Sequence, residues 1–255
     1  MSKRLLAAVA AISTLAISGA ATAHTVDMGP FEGQWFNAAG GPSNLNFTDN
    51  PGNDPQVRWG VDLGSGQSGY NLDLSPPPSV IITKNVPPNT PAFQIGNFTH
   101  VNFPIGPNSI TGIDLRISFD IVIDTVNDIG VRDFFFHFDH DETTNDLNPC
   151  PYGGANGQGV NVNGCADRVV VSFLTTSESF TLDNVVYTFD LLGFADDCSR
   201  GTISNTYLTK ENANNTAALC ATITTRSTVE TPEPGTLALL GLGLFGLRLV
   251  RRRLS

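Results

Sequence analysis

Positive charge is scarce in the body of this chain. Of its 14 lysines and arginines, two sit near the N-terminus and four at the C-terminus, leaving eight between residues 24 and 231. The same stretch holds 23 of the 24 aspartates and glutamates, a net charge of −15 against −10 for the whole sequence. So acidic a surface repels nucleic acid and anionic lipid, and it favours solubility and cations. Helical periodicity is missing too, since no internal segment repeats apolar residues at the spacing of an amphipathic helix. Neither CxxC nor HxxxH spacing occurs, which argues against a cysteine-based zinc site.

What is present is two-residue alternation and turn chemistry. Ile113, Leu115, Ile117, Phe119, Ile121 and Ile123 alternate with Asp114, Arg116, Ser118, Asp120, Val122 and Asp124. Such a segment turns one face to a core and the other to water. Residues 131–138, 168–174, 185–192 and 217–225 also read as strands, with weaker candidates at 34–37, 44–48, 57–60, 80–83 and 92–103. Clusters of turn-forming residues at 37–42, 49–55, 75–79 and 149–159 separate them. This pattern predicts an all-β fold, an antiparallel β-sandwich of jelly-roll-like architecture. The body of roughly 200 residues is enough for one such domain, over residues 24–229.

The two ends differ in composition. Lys3 and Arg4, the apolar stretch 5–17 and Ala21-Thr22-Ala23 read as a secretory signal peptide over 1–23. Signal peptidase and the export machinery are then partners, and His24 begins the mature chain. At 230–255, Pro232-Glu233-Pro234 precedes an apolar run, 236–247, and then Arg248, Arg251, Arg252 and Arg253. The run is shorter than the roughly 20 residues of a comfortable membrane helix. As a short hydrophobic helix it spans if Arg248 snorkels and the bilayer thins. The arginines should stay cytoplasmic, leaving the domain outside. The prolines keep their segment extended, as suits a peptide entering a protease cleft. An ordinary, uncut membrane anchor is the alternative.

This tripartite tail resembles that of PEP-CTERM proteins. The resemblance implies recognition by exosortase, a membrane-embedded cysteine protease or transpeptidase of Gram-negative bacteria. The sorting residues would be Pro232, Glu233, Pro234, Arg251, Arg252 and Arg253. It also implies a precursor held transiently in the inner membrane, then a cell-surface or extracellular-matrix protein in an exopolysaccharide and biofilm setting. Within the body, Thr99-His100-Val101-Asn102 followed by Phe103-Pro104-Ile105 resembles the signature of the THxN family of PEP-CTERM proteins. Arg58-Trp59-Gly60, Glu142-Thr143-Thr144-Asn145, Asn163-Gly164-Cys165-Ala166-Asp167 and Leu192-Gly193-Phe194 fit the same pattern, with Thr144 standing where the family has proline. That family carries no established molecular activity, and the leading expectation is a non-enzymatic structural or interaction role.

An even cysteine count in an exported chain suggests disulfides. Cys150, Cys165, Cys198 and Cys220 permit three pairings. Cys150–Cys165 with Cys198–Cys220 is preferred, because each pair brackets one Gly/Asn-rich excursion. Two histidine-bearing segments could carry chemistry. His100, beside Thr99 and Asn102, is either a catalytic group whose partner the sequence does not reveal or a histidine bonded within the fold. His137-Phe138-Asp139-His140-Asp141-Glu142, with Asn145 and Asp146 beyond, is the densest set of oxygen and imidazole groups. Read as a loop, it is either a calcium site or a solvated acidic turn, with Asp139 and Asp141 a remote candidate for a hydrolytic pair. Spacing alone identifies no metal ligand and no cofactor. Trp35, Trp59 and Tyr70 are core residues or a sugar-stacking platform. The platform would suit the second functional expectation, a carbohydrate-binding or calcium-dependent adhesive module.

Overall fold

The computed structural model describes residues 23–76, 79–83, 90–173 and 179–228. The expected signal peptide, Ala23 apart, and the expected C-terminal hydrophobic helix lie outside these residues. Among the described residues fourteen strands follow in chain order: β1 Ala23–Met28, β2 Glu32–Ala39, β3 Asn46–Thr48, β4 Gln56–Trp59, β5 Ser68–Leu74, β6 Ser79–Thr83 and β7 Phe93–Asn102. They continue with β8 Gly112–Ile123, β9 Asn127–Asp141, β10 Asp167–Phe173, β11 Ser179–Leu182, β12 Val185–Ala195, β13 Thr206–Thr209 and β14 Ala213–Ser227. Two seven-stranded sheets result. One runs β13-β10-β9-β8-β1-β6, with β2 also paired to β8, and the other runs β11-β12-β14-β7-β5-β4-β3. Their pairings are antiparallel.

The alternation seen in the sequence becomes the core. From β8, Ile113, Leu115, Ile117, Phe119, Ile121 and Ile123 are buried, and from β9 so are Phe134, Phe136 and Phe138. Rings from the two sheets meet across the middle. Phe98 on β7 stacks on Phe138 on β9 at 5.6 Å, and Trp35 on β2 lies 5.6 Å from Tyr70 on β5. Further along, Phe119 and Phe134 surround Phe189 of β12 at 5.2 and 4.9 Å. These aromatic contacts join the sheets into one sandwich core.

Four strands escape the sequence pattern: β1, β5, β11 and β13. The clearest case is β5, whose Tyr70, Leu72 and Leu74 alternate correctly but stand among Gly69, Asn71 and Asp73, which disfavour strands. Gly69 is there for space. A Cβ at that position would lie 2.2 Å from the Val57 carbonyl of the neighbouring strand.

The disulfides join Cys150 to Cys165 and Cys198 to Cys220. The first closes the excursion between β9 and β10; the second ties the segment after β12 to the centre of β14. With sequence separations of 15 and 22, each bridge should contribute roughly 3 kcal/mol by restricting the unfolded chain. Reduction is therefore expected to lower the melting temperature while far-ultraviolet circular dichroism still reports sheet under native conditions. An unchanged melting curve would contradict this.

Candidate functional site

Strand β9 does not stop where its phenylalanines stop. Its two-residue period continues through Phe134, Phe136, Phe138 and His140, all facing inward. Opposite, β7 turns Phe98 and His100 inward, β5 presents Tyr70 and β4 presents Trp59. The first residue of β10, Asp167, enters from the same side and is fully buried. The aromatic core thus runs into a pocket of polar groups at one end of the sandwich.

Each imidazole has its Nδ1 engaged. His100 Nδ1 lies 2.8 Å from Thr209 Oγ1, and His140 Nδ1 lies 2.7 Å from the Tyr70 hydroxyl. The Thr209 hydroxyl donates to the Asp167 carbonyl at 3.4 Å, so its oxygen is left to accept from His100 Nδ1–H. That arrangement leaves Nε2 of His100 with a bare lone pair and no hydrogen-bond partner. Burial, with His140 nearby, holds the His100 pKa well below 6.5, which keeps the ring neutral. Trp59 stacks on His100 at 6.2 Å and meets His140 edge-on at 5.3 Å.

Three carboxylates complete the cluster. The Thr143 amide donates to Asp167 Oδ1 at 2.7 Å, while Oδ2 has no partner. Trp59 Nε1–H donates to Ser109, whose hydroxyl donates to Glu142 Oε2 at 3.0 Å. The same Glu142 oxygen lies 3.5 Å from His140 Nε2. Glu211 is buried, and neither of its carboxylate oxygens has a hydrogen bond. Asn145 comes close enough to ease that burial slightly without meeting hydrogen-bond geometry. Burial, aggravated by Glu142 and Glu211, pushes the Asp167 carboxyl up to about 9. Burial and Glu142 push Glu211 up to about 7. The geometry brings two trios together, His100 with His140 and Asp167, and Glu142 with Asp167 and Glu211. Within each, one ligand atom per residue lies within 4.8 Å of the others. Either trio could hold a metal ion.

The connection between β9 and β10 is shaped to deliver these groups. Asn163 donates to the Glu211 carbonyl at 3.0 Å, and Asn161 accepts from the Ala166 amide at 2.9 Å. Gly164 has φ +133°, and a Cβ there would lie 2.7 Å from Asn145 Oδ1, so both conformation and space demand glycine.

Residues 137–141 are thus corrected from a loop to the end of β9, with Glu142 just beyond it, and the segment divides by face. His137, Asp139 and Asp141 point outward. His137 bonds Asp114 at 2.6 Å and lies 3.3 Å from Asp139, while Asp141 accepts from Arg168 at 2.8 Å. Asp139 and Asp141 do share a face, but it is the outer one, so they do not assemble an internal calcium site with His140 or Glu142. Asp146 is exposed. Thr99 also points away, bonding Thr216 of β14 at 2.8 Å. His100, Glu142 and Asn145 belong to the site, and Asn102 flanks it, donating weakly to Thr209 at 3.4 Å. Trp35, Trp59 and Tyr70 are no more than 1% exposed, which rules them out as a sugar-stacking platform. Ser109, Thr209 and Glu211 escaped the sequence reading, and Tyr70 was read only as a core or platform aromatic. They carry no local signal, because each meets its partners across tens of residues.

Residues 230–253 match the PEP-CTERM protein-sorting motif. That match implies an exported protein sorted by exosortase at the membrane. No curated protein matches this chain.

Thr209→Val keeps shape but strands His100 Nδ1–H without an acceptor, which should cost about 1–3 kcal/mol. Thr216→Val on the outer face should change stability by less than about 0.5 kcal/mol. Urea denaturation of both variants checks the difference, and equal losses would contradict the network.

Proposed function

We propose that this chain is a non-enzymatic, THxN-type β-sandwich delivered by exosortase to the cell surface or extracellular matrix of a Gram-negative bacterium. The match of 230–253 to the sorting motif carries the delivery part of this reading. The tail would anchor the precursor in the inner membrane until exosortase cleaves it.

Membership of the THxN group is supported by convergence in space. Trp59, His100, Glu142, Asn145 and Asp167 come from four separate sequence motifs and gather around one buried centre. Phe194, from the fifth, packs on Phe98 at 5.1 Å. Burial favours an inert domain over an enzyme. His100 and Asp167 are 0% exposed, Glu211 1% and His140 2%, so a polymeric substrate meets none of them. What remains for contact with matrix polymers is the acidic surface, suited to solubility and to cation-bridged association.

Sorting is tested in a host that carries the exosortase. Intact-mass analysis should find the surface form lacking Arg251, Arg252 and Arg253, and Glu233→Ala should leave uncut protein in the inner membrane. Recovery of full-length chain from the matrix would overturn the proposal.

A further inference from the structure

The unpartnered atoms of the buried centre are all of one kind. Nε2 of His100, Oδ2 of Asp167, both carboxylate oxygens of Glu211 and Oδ1 of Asn145 lack hydrogen-bond partners, as does Oδ1 of flanking Asn102. With the carboxyls ionised, as cation binding requires, every one of them is an acceptor. Lone pairs converge here from five side chains around one point. Among the described residues, no lysine or arginine pairs with Glu142, Asp167 or Glu211. Carboxylates buried without a counter-charge are among the costliest arrangements in a protein interior. A cation removes that cost, and few other occupants can satisfy so many lone pairs at once.

We propose that this centre binds a divalent transition-metal ion of the zinc class, ligated by Nε2 of His100, Nε2 of His140 and Oδ2 of Asp167. Two imidazoles in the trio favour a borderline ion over calcium, which takes oxygen ligands. The surroundings are those of a metal site. His100 leans on Thr209, His140 on Tyr70, Asp167 on the Thr143 amide and Glu142 on Ser109. Each contact fixes the orientation of a ligand through an atom other than the one offered, as outer groups around metals do. Glu142 and Glu211, which form the second trio with Asp167, supply further oxygens and the excess negative charge that a divalent ion neutralises. Because the ligands are sealed from solvent, the ion is structural, tying β7, β9, β10 and the turn before β14 together. This inference does not depend on the sorting tail.

The test uses the exported protein and has three arms. Elemental mass spectrometry of protein purified without chelator should find about one zinc-class ion per chain. After chelation, zinc at a hundredfold excess over its Kd should raise the melting temperature by about 5–10 °C, while calcium at the same concentration does not. Asp167→Asn keeps the acceptor for the Thr143 amide and should fold, yet it should lose the bound ion and the zinc response. Glu211→Gln in chelator should melt no lower than wild type, because it removes a repelling buried charge. Asp139→Asn with Asp141→Asn, on the outer face, should keep the full response. Metal-free protein whose melting ignores zinc would overturn the proposal. So would a response to calcium alone, or one abolished by the outer-face pair.

Discussion

Burying two carboxylates, with the half-buried Glu142 against them, beside two imidazoles and with no basic side chain to answer them, is the constraint to which one end of this sandwich conforms. Water is kept out by Trp59, Tyr70, Phe98 and Phe138, the same rings that bind the two sheets together. Core and polar centre are therefore continuous. Along β9, the phenylalanines that supply apolar burial lead directly to His140. The polar groups are held by a chain of neighbours, Trp59 to Ser109 to Glu142 and Asn102 to Thr209 to Asp167, so no ligand is positioned by its own strand alone.

Export and assembly are linked through the first disulfide. His140 and Glu142 precede Cys150, while Asp167 follows Cys165 by two residues. The bridge shortens the path between those groups, and Thr143 reaches the Cys165 and Asp167 region from the other side. Disulfides form outside the reducing cytoplasm. The centre would thus reach its finished geometry in the compartment to which the signal peptide would send it.

Local periodicity carried the strands with clean alternation, β8 above all, because burial of every second residue is a short-range rule that a sequence displays openly. It carried the disulfide pairing for the same reason: each bridge closes a nearby excursion. The motif residues were legible as a set, and Trp59, His100, Glu142 and Asp167 do meet. Their common purpose was not legible. His140 was read into a loop because five charged or imidazole residues in six suggested solvent, although the Phe134, Phe136, Phe138 alternation already pointed it inward. Glu211 and Thr209 lie on a turn and a short strand brought to the site only by sheet closure. Tyr70 sits on a strand disguised by glycine and asparagine. Such contacts between residues 70 to 109 positions apart have no counterpart in any window of sequence.

The last strand among the described residues is an interior one. β14 lies between β12 and β7, and in sequence it is followed directly by the segment that bears the sorting motif. This has a mechanical consequence. Tension entering from the C-terminus runs along β14 and loads the rungs of both flanking ladders together, in shear. Had the tail followed an edge such as β11 or β3, the same pull would open one rung at a time. A protein sorted by its C-terminal end is thus gripped at a strand that is bonded on both sides.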